Sequence, residues 1–170
     1  MKFNWQTTAA LMLICLGFGL HRANAQSKVS EPFTAISRDR LSDATPTQSQ
    51  RLNHIEHLPT TEVVHVFRTN PDAEIGDQLK ISIPNDKTLK LSKTGGEKED
   101  SKNFTWLGEV QGEERSSVTL ISRNGEITGS INTAQGLYRI TPLGDGAYAI
   151  AKINTQKLPP EEPPAKNNKQ

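Results

Sequence analysis

Between Asn103 and Ile153 apolar and polar positions alternate with a period of two, in short runs that stop at Gly, Asn or Asp. The runs are NFTWLGEV, SSVTLIS, GEITGSINT, GLYRIT and GAYAIAKI. Successive side chains of a strand point to opposite faces. This pattern, filled with β-branched and aromatic residues, therefore predicts an antiparallel β-meander. In the first run Phe104, Trp106 and Val110 share a face, and Gly108 interrupts them. A glycine inside a strand marks a bulge or a close backbone approach. Asn124-Gly125 is the strongest hairpin signal, because both residues tolerate the positive φ of a type I′ turn. Gly144-Asp145-Gly146 closes another hairpin.

Upstream, Thr61 to Arg68 (TEVVHVFR) reads as a strand, with Val64 and Val66 on one face and Val63, His65 and Phe67 on the other. Gln78 to Ile83 alternates through Leu79, Ile81 and Ile83, and Lys87 to Leu91 through Leu89 and Leu91. Thr94 to Lys102 is charged and holds two glycines, so it is expected to be a loop. The fold class is all-β: an antiparallel meander of seven or eight strands in one sheet or a small open sandwich, with flexible N- and C-terminal tails. The expected structural core is Phe104, Trp106, Ile127, Ile131, Tyr138, Ile140 and Tyr148, joined by Val118, Leu120 and Ile150.

The β domain is placed at residues 59–158. Residues 26–58 are polar and hold no persistent face, so they are expected to be mostly disordered. They leave room for a short helix over Thr47 to His57, where Leu52, Ile55 and Leu58 fall three apart and Pro59 ends the turn. Residues 159–170 are Pro-rich and polar, which favours a stiff extended tail over helix or sheet.

Residues 1–25 change the chemistry that is available. Lys2 precedes an apolar run from Ala9 to Leu20, and Ala23-Asn24-Ala25 supplies small residues for cleavage. This is the pattern of a secretory signal peptide, with the cut between Ala25 and Gln26. Cys15, the single cysteine, would leave with it, so the mature chain would have no thiol for a disulfide, a metal or a substrate. Lys2 and Arg22 would leave too, so 18 basic residues would face 19 acidic ones. Bulk charge then favours neither nucleic acid nor an anionic membrane. The expected location is secreted or periplasmic, with no integral membrane segment after signal removal.

Candidate chemistry is thin. His54-Ile55-Glu56-His57 places two histidines three apart, whereas the zinc-protease pattern needs them four apart with Glu directly after the first. A solvated helical segment accounts for it better. His65, alone in an apolar strand, reads as a hydrogen-bonded structural residue before a ligand or pH sensor. Glu109, Glu113 and Glu114 lack the spacing of a calcium loop and read as solvated turn acids. Ser116 and Ser117 have no nucleophile-elbow context, and the glycines cradle no phosphate. No catalytic, cofactor-binding or metal residues are assigned, no cofactor is expected, and the chain is read as a non-enzyme.

From Phe104-Thr-Trp106-Leu-Gly108 onward the chain resembles the N-terminal propeptide of secreted bacterial zinc metalloproteases of the peptidyl-Asp metalloendopeptidase type. The matching features continue through Gly112, Asn124-Gly125, Ile127-Thr-Gly129-Ser-Ile131, Gly136-Leu-Tyr138-Arg-Ile140, Pro142 to Gly146 and Leu158-Pro159-Pro160. The likeness covers residues 61 to 164, and its motifs are mostly scaffold residues. In that family a catalytic domain follows. None follows Gln170 here, so the resemblance implies a free-standing prodomain that inhibits a zinc metalloprotease or assists its folding, or a remnant without its enzyme. Without a mature cysteine, blocking would be steric, through an exposed strand edge or through the tail. The alternative is a non-catalytic envelope or surface binding module.

Overall fold

The computed structural model describes residues 29–41, 44–84 and 87–159. The expected signal cleavage between Ala25 and Gln26 and most of the Pro-rich tail lie outside the described residues. Asn124 and Gly125 adopt φ of 54° and 86°, both positive, as the hairpin signal requires. They join β6 (Ser117–Arg123) to β7 (Glu126–Thr133) in a register that runs from Arg123↔Glu126 to Ser117↔Asn132. Antiparallel pairing then extends both ways. β5 (Phe104–Val110), β4 (Lys87–Lys98) and β3 (Gln78–Ile83) follow on one side. β8 (Gly136–Gly144), β9 (Ala147–Ile153), β2 (Thr61–Thr69) and β1 (Phe33–Ile36) follow on the other.

Nine strands form one sheet, where seven or eight were expected. The sheet is neither flat nor an open sandwich. It curls until its two edge strands, β1 and β3, come alongside, and Ser30 makes a parallel bridge to Leu79. The result is a nearly closed barrel-like sheet. β4 is longer than expected: it runs through the expected loop after Thr94 to Lys98 because β5 supplies its hydrogen bonds, as in Gly96↔Trp106 and Lys98↔Phe104. An irregularity between Lys93 and Gly95 absorbs one residue and bends the strand there.

The one strand beyond those expected, β1, lies in the segment expected to be mostly disordered. Phe33 has no exposed surface, and its ring lies 4.9 Å from that of Tyr148. A single aromatic anchor and pairing to β2, from Phe33↔Thr69 to Ile36↔Val66, order this stretch. The same segment carries α1 (Pro46–Glu56), one residue earlier than its periodicity suggests. Thr45 is the N-cap, and its side-chain oxygen accepts from the Gln48 N–H at 3.3 Å while Gln48 Oε1 accepts from the Thr45 N–H at 3.0 Å. Pro46 occupies the first turn, where its missing N–H costs nothing.

Two apolar clusters result. The barrel interior holds Phe33, Phe67, Leu79, Ile81, Phe104, Trp106, Ile131, Tyr138, Ile140 and Tyr148, among others. The expected core residues Phe104, Trp106, Ile127, Ile131, Tyr138, Ile140 and Tyr148 all lie there, none more than 7% exposed. Outside the barrel, Leu52 and Ile55 of α1 pack with Leu41 onto Val66, Leu143, Ala147, Ala149, Ala151 and Ile153.

Candidate functional site

A barrel of this size holds a small ligand only if its interior is left open. Here the interior is filled. Phe33, Trp106, Tyr138 and Tyr148 are each 2% exposed or less. Trp106 Nε1 donates to the Gly76 carbonyl at 2.9 Å, which ties the β2–β3 connection over the barrel end, and Ile75 packs against the core beneath it. The Trp106 ring also lies over Gly108, where any Cβ would overlap the indole and the Ser92 carbonyl. The interruption at Gly108 is thus a close approach; the ladder irregularity sits on the facing strand, β4. Tyr148 Oη accepts from the Ile127 N–H at 3.2 Å. Burial raises the Tyr148 hydroxyl above its usual value, outweighing that hydrogen bond, and the Glu126 carboxylate adds to the rise.

Two clefts open at the surface. A cleft of about 410 Å³ opens between the β2–β3 connection and the β4–β5 hairpin, with Glu74, Lys93, Glu97, Lys98 and Ser101 on its walls. It carries both signs of charge, and Lys93 Nζ lies 3.8 Å from Asp77 Oδ1. Such a lining selects no simple anion or cation. A smaller cleft of about 230 Å³ lies where β1 ends, between Ile36, Arg38, Glu56, Val64 and His65. Arg38 and Glu56 pair across it at 2.6 Å.

The residues weighed for chemistry are scattered. His54 is exposed on α1, and the His57 ring lies 2.8 Å from the Asn53 carbonyl at the helix C-cap. His65 is half-buried on β2 beside the smaller cleft. Glu109 is exposed on β5. Glu113 holds a turn: its Oε2 accepts from the Ala134 N–H at 3.1 Å and its carbonyl accepts from Ser116 Oγ at 2.6 Å. Glu114 and Ser117 are exposed. Among the described residues no three His, Cys, Asp or Glu side chains group as metal ligands. No described helix is long and apolar enough to cross a membrane.

Sequence reasoning passed over Ser30, Pro32 and Phe33, which close the barrel, and Gln48, which is buried and donates through Nε2 to the Gly144 carbonyl at 2.9 Å. Phe33 was the one legible signal among them, as a lone aromatic in a polar stretch.

Residues 39–157 match the BamI lipocalin-like domain family. The chain is also 23% identical, over 172 aligned positions, to a peptidyl-Asp metalloendopeptidase of Xanthomonas campestris pv. campestris. That alignment covers 92% of this chain and 40% of the relative, so the chain spans well under half of the curated protein it matches. No solved structure matches.

Proposed function

The chain belongs to the BamI lipocalin-like domain family, and from that premise we propose that it is a non-catalytic, extracytoplasmic binding domain whose partner is a zinc metalloprotease, which it inhibits or helps to fold. The observation that carries the reading is the alignment to a metalloendopeptidase along 92% of the chain. Two features of the molecule agree with it. The barrel interior is occupied by large buried side chains, which favours binding on the outer surface. The N-terminal pattern up to Ala25 sends the domain to the compartment where secreted proteases mature. The second reading, an envelope or surface binding module, draws on the outer face of β5 and β6, where Leu107 and Ile121 are 40% and 37% exposed.

The test uses residues 26–170 and a purified peptidyl-Asp-type zinc metalloprotease secreted by the same organism. The domain is expected to lower the protease's activity, or to raise its refolding yield, and to form a complex at micromolar concentration. Absence of all three removes the reading.

A further inference from the structure

Asn124 is the one asparagine of the chain that precedes a glycine. An asparagine carries an electrophilic carbon, its side-chain Cγ, within reach of the next residue's backbone nitrogen. A side chain on that next residue hinders the approach, and glycine has none. The pair sits at the tip of the β6–β7 hairpin, and both residues are exposed to water. Among the described residues no hydrogen bond holds the Asn124 side-chain amide, so its nitrogen is free to leave.

The backbone of the tip, by contrast, is held. The Gly125 N–H donates to the Lys102 carbonyl at 3.0 Å, and the Asn124 N–H donates to Asn103 Oδ1 at 3.0 Å. Both acceptors belong to the turn that leads into β5, and that turn is fixed from within. Asp100 Oδ1 accepts from the Lys102 and Asn103 N–H groups at 2.6 and 2.7 Å, and Oδ2 accepts from Asn103 Nδ2 at 2.9 Å. The buried Ser122 hydroxyl donates to the same Lys102 carbonyl at 2.6 Å. The group that would attack Asn124 Cγ is therefore the group that donates to Lys102. Attack requires the Gly125 nitrogen to lose its proton and turn from that carbonyl, so it cannot do both at once.

We propose that Asn124 is a site of spontaneous deamidation, and that the Asp100 turn sets its rate by holding the Gly125 N–H. This goes beyond the protease reading and does not depend on it. The Gly125 nitrogen gives its proton to base and forms a bond to Asn124 Cγ. The bond from Cγ to the side-chain nitrogen breaks, and that nitrogen takes up a proton and departs as ammonia. Water then opens the five-membered succinimide: its hydroxyl goes to one of the two ring carbonyl carbons and its proton returns to the ring nitrogen. Opening at Cγ leaves aspartate; opening at the backbone carbonyl leaves isoaspartate. Nothing is oxidised or reduced, and water is the sole co-reactant. Isoaspartate lengthens the backbone of the two-residue turn by one carbon, so the Arg123↔Glu126 register and the two tethers to the Asp100 turn cannot all be kept. Either product adds a carboxylate close to Glu126.

Residues 26–170 are kept in mildly alkaline buffer, and samples are mapped by mass spectrometry with isoaspartate quantified peptide by peptide. Conversion is expected at Asn124 ahead of every other asparagine, with release of ammonia, and Asn124→Ser abolishes that release. Asp100 acts here as a positioning residue. Asp100→Ala is expected to speed the conversion by about ten-fold, the worth of a hydrogen bond to a charged group. Amide exchange at Gly125 speeds up with it, while the barrel amides keep the parent's protection. A parent and an Asp100→Ala variant that both leave Asn124 intact overturn the site. Equal rates in the two, or a faster conversion with Gly125 exchange unchanged, overturn the role of the turn. If Asp100→Ala does not fold, the folded parent is compared with the parent in denaturant. Conversion about ten-fold slower when folded supports the restraint, and equal rates overturn it.

Discussion

The two apolar clusters of this domain lie on opposite faces of β2, β8 and β9 and are built from different residues. On the inner face of β9, Tyr148 and Ile150 reach into the barrel and meet Phe33, Trp106 and Ile140. On its outer face Ala147, Ala149 and Ala151 form a stripe of small side chains beneath α1. A barrel interior is wide and needs large side chains to fill it. A helix lying on a sheet needs the opposite, because its own Leu52 and Ile55 already fill the gap. The inner cluster is larger and draws on every strand; the outer one joins a single helix to three strands. The difference makes the barrel the seat of stability and α1 a cover that adds to it.

The largest effect is expected inside. Trp106→Ala removes an indole that is 2% exposed, and truncating a buried Trp costs about 3–5 kcal/mol. It also leaves the Gly76 carbonyl without its donor. Chemical denaturation is expected to show a lost or strongly shifted cooperative transition. A midpoint within error of the parent would mean that the inner cluster is not where the stability lies. The matching change outside is Ala149→Leu. Its site has no exposed surface, so the added carbons must displace α1 or strain β9, at about 1–3 kcal/mol. Limited proteolysis is expected to cut near Pro46–Glu56 while the barrel transition survives. Loss of both together would dissolve the distinction between the clusters.

How much of this was legible depends on where each residue's partner lies. The β6–β7 hairpin is written locally, in two adjacent residues that accept positive φ. The inward set of the meander follows from alternation alone. Alanine at every second position of AYAIA was also on the page, but it indicates a covered outer face only once α1 is known to lie there. β1 was illegible because it is four residues long and its ladder partners on β2, Val66 to Thr69, lie far along the chain. The near-closure of the sheet at Ser30↔Leu79 was further still from view, because curvature leaves no trace in local periodicity.

A pH titration sharpens the comparison from the inner side. Burial raises the Tyr148 hydroxyl above its usual 10.0, so the neutral form is the one that folds. Above pH 10 the unfolded chain releases a proton that the folded chain keeps. Stability is therefore unaffected below that value and falls as pH rises through it, by at most about 1.4 kcal/mol per unit for one proton. The alkaline melting curve is expected to drop with the barrel transition, and Tyr148→Phe to flatten that drop.

The smallest effect belongs to neither cluster and serves as their control. Asp100 Oδ1 accepts from the Lys102 and Asn103 N–H groups at 2.6 and 2.7 Å, and Oδ2 from Asn103 Nδ2 at 2.9 Å. The Asn103 side chain first, then the two backbone donors, hold this carboxyl below its usual 3.8. The turn it fixes caps the β6–β7 hairpin: the Lys102 carbonyl accepts from the Gly125 N–H at 3.0 Å, and Asn103 Oδ1 from the Asn124 N–H at 3.0 Å. A depressed carboxyl contributes above its unfolded value and loses that contribution as pH falls through its folded one. Below pH 3.8 the Lys102 and Asn103 amides are expected to exchange faster, followed by Asn124 and Gly125, while the barrel amides hold. Because Asp100 is exposed, the global transition should barely move. A barrel that loosened in step with this surface turn would show that its stability does not reside in the filled interior.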